Sequence, residues 1–194
     1  MLEKLEENFN IILGSASPRR KELLSKIINN FKIEVIPINE SSFNDKSNED
    51  LAMELSYQKS LAFLDYIEDN DLIITSDTVV CINNETLGKA KDKNQAVSML
   101  GKLSNNTHFV YTGITIFTKQ KTHTFFDKTE VRFYKLSKQE IIFYIDNYKP
   151  YDKAGAYGIQ DWIGNVAIKE IKGCYYNVMG LPLHKLYREL RKFI

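Results

Sequence analysis

The chain has 194 residues and carries 26 Lys and Arg against 25 Asp and Glu, so its formal net charge is only +1. This balance of charge argues against a protein that binds duplex DNA through bulk positive charge, but not against a local basic pocket. Hydrophobic residues make up 43% of the sequence and charged residues 26%, as in ordinary soluble globular proteins. No apolar run approaches the roughly 20 residues of a membrane span.

The cysteines and the amino terminus indicate a cellular location. Cys81 and Cys174 are far apart and form no CxxC pair, which excludes a disulfide framework and a cysteine-based zinc site and fits a reducing compartment. The first ten residues are acidic and polar, unlike a signal peptide. These features and the length predict a cytoplasmic protein with one domain over residues 1–194.

The predicted elements alternate between strand and helix, and then strands follow one another. In chain order they are a strand at Phe9–Leu13, a helix at Pro18–Asn29, a strand at Phe31–Pro37, a helix at Asn48–Ile67, a strand at Asp71–Ile82, a turn at Asn83-Asn84, a helix beginning at Asp92 or Asn94, strands at Thr107–Lys119 and Lys121–Leu136, a helix from Ser137 to Asp146, a strand at Trp162–Ile171 and a closing helix from Pro182. This order predicts an α/β protein with a mixed sheet.

Three basic residues, Arg19, Arg20 and Lys21, fall in the first turn of the first predicted helix, where the helix dipole disfavours cations by roughly 0.3–1 kcal/mol each. One interpretation is a phosphate site made by helix N–H groups, serines and arginines. The other is a solvated basic patch. The segment is not a Walker A loop, because the glycine spacing and the Gly-Lys-Ser/Thr ending are absent.

Lys59 and Asp77 are polar residues in apolar surroundings. On a helical wheel at about 100° per residue, Lys59 lies in the middle of the apolar arc of its helix. It is either a snorkelling lysine or an ammonium that projects into a cleft. Asp77 interrupts an apolar strand, where a carboxylate needs a partner. It either lines a ligand crevice or pairs with a core arginine or caps a turn.

Two further segments are candidates for ligand binding. Lys89 follows a glycine after the Asn83-Asn84 turn, where a cation can meet a phosphate. Gln160 ends a glycine-containing loop and offers both a donor and an acceptor, which suits the edge of a nucleobase. The alternative is that the loop is a structural turn. The three histidines have no metal-ligand spacing and are interpreted as surface or ordinary core residues.

Six motifs follow one another along nearly the whole chain. They are Leu13–Leu24 (LGSASPRRKELL), Ser76–Val80 (SDTVV), Leu87–Lys89 (LGK), Tyr111–Gly113 (YTG), Asp152–Gln160 (DKAGAYGIQ) and Asn177–Leu183 (NVMGLPL). In combination and order they resemble the Maf family of nucleoside triphosphate pyrophosphatases. The resemblance implies a metal-dependent hydrolase, with Mg²⁺ or Mn²⁺, that converts a nucleoside triphosphate to the monophosphate and pyrophosphate and so cleans nucleotide pools. It also implies an elongated, twisted mixed sheet flanked by helices, in two lobes around a cleft, like the inosine triphosphate pyrophosphatases, and a homodimer.

The resemblance also implies roles for individual residues. Asp77 matches the position of the proton acceptor and, with Glu40, of a metal-binding carboxylate. The positions that handle phosphate or metal are matched by Ser15, Arg20, Glu40, Lys59 and Lys89. The positions that separate substrate branches are matched by Arg19, Thr78 and Gln160. The pattern of these three resembles the branch that acts on dTTP and UTP. A tryptophan after Ser-Pro and a glutamine after the Asp would instead resemble the branch that acts on 7-methyl-GTP.

The sequence departs from the family pattern at three places. Asn39 stands before Glu40 where an aspartate is usual, which removes a charge near the proposed metal ligand. Asp161 and Trp162 follow Gln160 where a glycine is often found, which is expected to reshape the base pocket. Ser76 replaces an alanine or glycine.

Three alternatives to a dTTP and UTP pyrophosphatase remain at this point. The first is a nucleotide-binding regulator of cell division without useful catalysis. The second is a pyrophosphatase for modified nucleotides of other bases. The third, a nucleic-acid-binding domain, is opposed by the near-zero net charge and by the lack of a stacking-aromatic motif.

Overall fold

A computed structural model describes residues 2–39 and 48–194 of the chain. The helices are α1 (Glu3–Asn8), α2 (Pro18–Leu24), α3 (Asn48–Leu61), α4 (Lys93–Leu103), α5 (Lys138–Tyr148), α6 (Trp162–Ala167), α7 (Tyr175–Met179) and α8 (Leu183–Leu190). The strands are β1 (Asn10–Leu13), β2 (Lys32–Ile33), β3 (Asp71–Ile82), β4 (Glu85–Leu87), β5 (Thr107–Phe117), β6 (Thr122–Phe133) and β7 (Ile168–Lys172). In the part of the chain that the structure describes, none of the helices combines the length and the apolar character needed to cross a bilayer.

The strands form one mixed sheet in the order β2-β1-β3-β5-β6-β7, and β4 pairs with β3. Strand β1 runs parallel to both β2 and β3, whereas the β3–β4 and β6–β7 pairs are antiparallel. The predicted α/β class with a mixed sheet is therefore confirmed. Asp77 and Thr78 are consecutive residues in the polar central segment of β3.

The chain divides into two compact units. Unit 1 comprises residues 1–77, 112–127 and 180–194, and unit 2 comprises residues 78–111 and 128–179. In unit 1, a buried apolar cluster joins the first strands to the segment after α3, with Ile36 packed against it; its members are Ile12, Phe63, Ile67, Ile73 and Phe117. In unit 2, α4 and α5 pack together, and their inner faces bury Leu100, Leu103 and Tyr144 completely.

Local sequence signals explain several of the element ends. Asp92 caps α4, because its side chain accepts a hydrogen bond from the backbone N–H of Gln95 at 2.8 Å. Ser137 and Glu140 form a reciprocal capping box at the start of α5. Asn83 and Asn84 both adopt positive φ, at 49° and 63°, and so form the tight turn that joins β3 to β4.

The prediction of a strand over Trp162–Ile171 is wrong in its first half. Residues 162–167 form α6, and only the segment from Ile168 to Lys172 pairs with β6. Ile163 and Ala167 are both completely buried at a spacing of four residues, which is the period of a helix face. The β-branched residues of this segment favour a strand locally, but packing on one face decides for the helix.

Candidate active site

The first motif is held in place by its own cap and by a backbone carbonyl from a distant part of unit 1. Ser17 caps α2 by accepting from the backbone N–H of Arg20 at 3.5 Å, and Pro18 begins the helix, as predicted. The guanidinium of Arg20 donates from Nη1 to Ser15 Oγ at 3.2 Å and from Nε to the carbonyl oxygen of Gly180 at 3.0 Å. These two bonds, both to neutral oxygens, fix the position of the arginine head group.

The carbonyl of Gly180 joins three of the six motifs within unit 1. Besides Arg20, it accepts a hydrogen bond from Ser76 Oγ at 3.2 Å. Gly180 has φ of 109°, in the left-handed region that favours glycine. In this backbone conformation its carbonyl oxygen accepts from both Arg20 and Ser76. The structure thereby brings together the segments around Ser15, Ser76 and Gly180, which are far apart in the sequence.

Helix α3 packs closely on the sheet at Gly113, because this residue has no side chain. A Cβ at this position would lie 2.0 Å from the carbonyl oxygen of Ala52 and 2.6 Å from the backbone nitrogen of Met53. The backbone of α3 therefore contacts β5 directly, at a distance that only glycine permits. This close approach accounts for the glycine of the Tyr111–Gly113 motif.

Buried hydroxyl groups fix the same helix against two strands. Thr75 Oγ1 in β3 donates to the carbonyl oxygen of Ser56 at 2.6 Å. Ser56 Oγ bonds Thr115 Oγ1 in β5 at 3.0 Å, and Thr115 Oγ1 lies 2.9 Å from Thr124 Oγ1 in β6. Buried hydroxyls are costly unless they are paired, so this chain of bonds specifies one position of α3 on the sheet.

The docked helix sets Lys59 against Asp77. The ammonium Nζ of Lys59 donates to Oδ1 of Asp77, and the two side chains are 19% and 15% exposed. Both charged groups therefore lie mostly out of water but retain a route to it, as groups in a ligand-binding site do. The head group of Lys59 is thus paired with a carboxylate in β3.

In unit 2, Lys89 lies beside the predicted base-binding loop. Lys89 and Ala154 form an isolated antiparallel bridge, and the backbone N–H of Gly155 lies 3.2 Å from the carbonyl oxygen of Leu87 and 3.0 Å from that of Gly88. Gly155 has φ of 67°, and a Cβ there would lie 3.0 Å from Val80 Cγ1. The LGK and DKAGAYGIQ motifs thus form one substructure.

The remaining predicted residues are placed as follows. In unit 1, Arg19 is half-buried in the first turn of α2. In unit 2, Thr78 is half-buried in β3 and Gln160 is exposed at the end of the loop. Glu40 falls outside the residues that the structure describes.

One of the three histidines interpreted as surface or ordinary core residues is a buried residue that contacts Tyr157 of the same loop. His108 is completely buried, and its Nε2 is 2.8 Å from the hydroxyl of Tyr157. The edges of Phe133 and Tyr157 surround the ring, and burial lowers the pKa of His108 from 6.5 to about 3. The neutral imidazole is therefore a packing and hydrogen-bonding residue at neutral pH.

Of the two predicted metal-binding carboxylates, Asp77 is the one that the structure describes. Carboxylate oxygen is the ligand type that Mg²⁺ and Mn²⁺ prefer, so Asp77 is suited to supply one ligand. Within residues 2–39 and 48–194, no group of three His, Cys, Asp or Glu side chains close enough to hold an ion includes Asp77. Further ligands would come from the substrate phosphates, from water or from Glu40.

Sequence reasoning missed the residues that position the site rather than form it. Gly113, Ser56 and Thr75 have no chemical signature of their own, and Gly180 contributes only its backbone. A glycine within a strand does indicate a close backbone approach, and this signal would have identified Gly113. The others depend on contacts between distant segments. Asn177 is likewise structural, because its buried Nδ2 donates to Val110 O at 3.0 Å and to Thr129 Oγ1 at 2.9 Å.

Comparison with known proteins gives consistent matches over the full length. The sequence is 46% identical over 187 residues to a protein of Flavobacterium psychrophilum, which covers 96% of each chain, and 42% identical over 194 residues to a protein of Parabacteroides distasonis, which covers 100% of each. A third relative, from Porphyromonas gingivalis, is 44% identical over 196 residues, with coverage of 100% of this chain and 98% of its own. All three are named dTTP/UTP pyrophosphatase.

Among solved structures, the Staphylococcus aureus Ham1 protein aligns with a TM-score of 0.48 and 15% identity, over 93% of this chain and 99% of that one. The profile of a family described as Maf-like protein matches residues 10–193. With a match over almost the entire sequence and full-length relatives above 40% identity, the chain belongs to the Maf family.

Proposed function

We propose that this protein hydrolyses nucleoside triphosphates, dTTP and UTP in particular, to the monophosphate and pyrophosphate. Its full-length relatives carry the name of that activity. The structural observation that carries the proposal is the Lys59–Asp77 pair. It sets the ammonium of α3 beside a mostly buried carboxylate in the middle of β3. In hydrolysis of a phosphoanhydride, a carboxylate can accept the proton of the attacking water, and a lysine can stabilise the charge on the phosphates.

In this mechanism Asp77 accepts a proton from the attacking water. The water oxygen forms a bond to one of the two phosphorus atoms joined by the α–β bridging oxygen, and the bond from that phosphorus to the bridge breaks. Attack on the α-phosphorus expels pyrophosphate with the electron pair, and attack on the β-phosphorus expels the nucleoside monophosphate with it. Lys59, Arg20 and Arg19 hold phosphate oxygens in unit 1, where their charges stabilise the transition state. A bound Mg²⁺ or Mn²⁺ would lower the pKa of water, which compensates for the weak basicity of an aspartate.

Ser15 and Lys89 complete the phosphate contacts in this proposal. Ser15 holds the head group of Arg20 at 3.2 Å and offers its own hydroxyl at the start of α2. Lys89 is an exposed cation next to the loop that ends at Gln160. We assign the choice of base to Arg19, Thr78 and Gln160, whose side chains can donate and accept hydrogen bonds.

The remaining features of the proposal concern the whole protein. Glu40 is the second metal carboxylate. A cytoplasmic location is supported by Cys81 and Cys174, neither of which is in a disulfide. The homodimer and the single two-lobed domain over residues 1–194 stay predictions; light scattering after gel filtration tests the former, and a single cooperative transition in calorimetry tests the latter.

Release of pyrophosphate from dTTP and UTP in the presence of Mg²⁺ tests the activity, and Asp77→Asn tests the site. The variant keeps the size of the side chain but removes the base, so kcat is expected to fall by about 100- to 10,000-fold. The matched control is Asp69→Asn, which breaks the exposed Asp69–Lys119 pair in the same unit. Exposed pairs contribute little, so the control is expected to keep its activity.

Two results would contradict the proposal. Near-normal turnover by Asp77→Asn, with a circular dichroism spectrum like that of the wild type, would show that another group is the base. Tight binding of dTTP and UTP by the wild type without release of pyrophosphate would instead support a nucleotide-binding regulator. A panel that includes modified triphosphates of other bases decides between the dTTP and UTP activity and the broader alternative.

A further inference from the structure

The hydroxyl of Tyr144 joins the two ends of the turn that carries Gln160. It accepts a hydrogen bond from the backbone N–H of Gly158 at 3.0 Å and donates one to Oδ2 of Asp161 at 2.7 Å. Gly158 and Asp161 are the first and last residues of this turn, because the N–H of Asp161 also donates to the carbonyl oxygen of Gly158 at 3.0 Å. One side chain from α5 thus contacts both ends of a four-residue turn.

The direction of the bonds is fixed by chemistry. An amide N–H only donates and a carboxylate only accepts, so the hydroxyl has one way to satisfy both. The ring of Tyr144 is completely buried and stacks on Tyr148 with centroids 5.1 Å apart. Burial is the main cause that raises the pKa of Tyr144 far above its usual value, so the hydroxyl keeps its proton at neutral pH.

The turn is tightly packed around these bonds. A Cβ at Gly158 would lie 2.6 Å from Oδ2 of Asp161 and 2.9 Å from Cε of Lys153. The ammonium of Lys153 lies 3.8 Å from Oδ2 of Asp161. Ile159, the second residue of the turn, is buried, whereas Gln160, the third, is exposed. The turn therefore has one orientation, which buries the isoleucine and directs the glutamine outward.

The side chain of Asp161 does not cap the helix that follows it. It precedes α6 at the N-cap position, where an aspartate normally accepts from a backbone N–H of the first turn of its helix, yet its side chain makes no such bond. The carboxylate faces Tyr144 and Lys153 instead. The hydrogen bond from Tyr144 thus replaces a helix cap worth about 1 kcal/mol as the interaction of this carboxylate.

We propose that Tyr144 and Asp161 are positioning residues that hold the Gly158–Asp161 turn so that Gln160 discriminates between nucleobases. The proposal rests on the proposed function, because it takes Gln160 as a base-contacting residue. Neither positioning residue touches the substrate. Their loss would allow the turn to move, and discrimination by hydrogen bonding depends on placing donor and acceptor to within a fraction of an ångström.

The test compares UTP with CTP, which differ at the edge that an amide would contact. In Tyr144→Phe and Asp161→Ala, the ratio of kcat/KM for UTP to that for CTP is expected to fall about 10-fold, as the loss of one well-placed hydrogen bond between Gln160 and the neutral base predicts. The value of kcat with UTP should change less than about twofold, because the base and the phosphate contacts are untouched. Asp161→Asn keeps an acceptor for Tyr144 and is expected to restore most of the ratio.

Controls separate positioning from a purely structural role. Tyr148→Phe keeps the ring that stacks on Tyr144 and is expected to leave the ratio unchanged. Competitive inhibition by inorganic triphosphate, which has no base, should be the same in all variants. If the UTP-to-CTP ratio stays at the wild-type value in both Tyr144→Phe and Asp161→Ala, the proposal is wrong, whatever happens to their melting temperatures.

A binding measurement makes the result independent of turnover. Calorimetric affinities of UMP and CMP for the same variants should show the same loss of discrimination. If the wild type binds UMP over CMP and the variants lose that preference, the turn has the proposed role even when no pyrophosphate is released and the proposed hydrolysis fails. If the wild type does not prefer UMP and UTP over CMP and CTP, the role of the turn is refuted, even when hydrolysis is observed.

Discussion

The burial of His108 predicts a loss of stability in mild acid. Burial lowers the pKa of this ring to about 3, against 6.5 in an unfolded chain, because the surrounding aromatic rings cannot solvate a charge. The titratable group that faces the imidazole is the hydroxyl of Tyr157, which stays neutral because burial raises its pKa. The unfolded chain therefore binds one more proton than the folded protein between pH 6.5 and about pH 3.

The size of the effect follows from the two pKa values. The contribution is fully present above pH 6.5 and is lost as the pH falls, at 1.36 kcal/mol for each pH unit. Between pH 8 and pH 5 the free energy of unfolding is expected to drop by about 2 kcal/mol through His108 alone. Urea unfolding at the two pH values, followed by circular dichroism, measures this difference.

The variant His108→Gln isolates the contribution, because its side chain does not titrate and the effects of carboxylates cancel in the comparison. It is expected to lose about 2 kcal/mol less than the wild type between pH 8 and pH 5. His184→Gln, at an exposed position of α8, is the control and should behave like the wild type. Equal losses in the wild type and His108→Gln would refute the reasoning, since they would mean that the ring is charged in the folded protein.

Two other perturbations test how the site is positioned. Gly113→Ala places a methyl group against the backbone of α3, so the free energy of unfolding should fall by about 1–3 kcal/mol, and kcat should fall because Lys59 moves. The control Gly101→Ala, in open space on α4, should instead raise the free energy of unfolding by about 0.5–1 kcal/mol. An equal loss of stability in both variants would contradict the role of Gly113. Arg20→Lys replaces a planar fork with a point charge, which cannot bond Ser15 and Gly180 together, so KM for UTP should rise about 5- to 10-fold; an unchanged KM would remove Arg20 from the phosphate contacts.

The sequence predicts best where a local signal and the burial pattern agree. Strand β3 has the predicted bounds, because its apolar residues favour a strand and the Asn83-Asn84 turn ends it. The start of α5 is likewise as predicted, since the Ser137–Glu140 capping box is complete within four residues. The mixed α/β class follows from the order of such elements.

Prediction fails where the deciding contact lies outside the segment. The segment from Phe31 to Pro37 looks like a strand, but only Lys32 and Ile33 pair with β1. Helix α1 is not predicted from the sequence because it has a single apolar residue, Leu5, which together with Leu2 before the helix is buried by packing and makes no amphipathic pattern of useful length. Gly164 of α6 has no room for a Cβ, which would lie 1.7 Å from the carbonyl oxygen of Ile159, and this close packing is invisible in the sequence.

The sequence alone identified which side chains carry charge and hydrogen-bonding capacity in apolar surroundings, because an arginine at a helix start, a lysine on an apolar face and an aspartate in a strand are each anomalous in their own segment. Only the tertiary structure decided which of them meet. Lys59 reaches Asp77 because Gly113 and the hydroxyls of Ser56 and Thr75 dock α3 on the sheet, and these residues show no chemistry until the chain has folded. Ionisable residues can be recognised by their local context, whereas the packing that positions them depends on contacts between segments that are distant in the sequence.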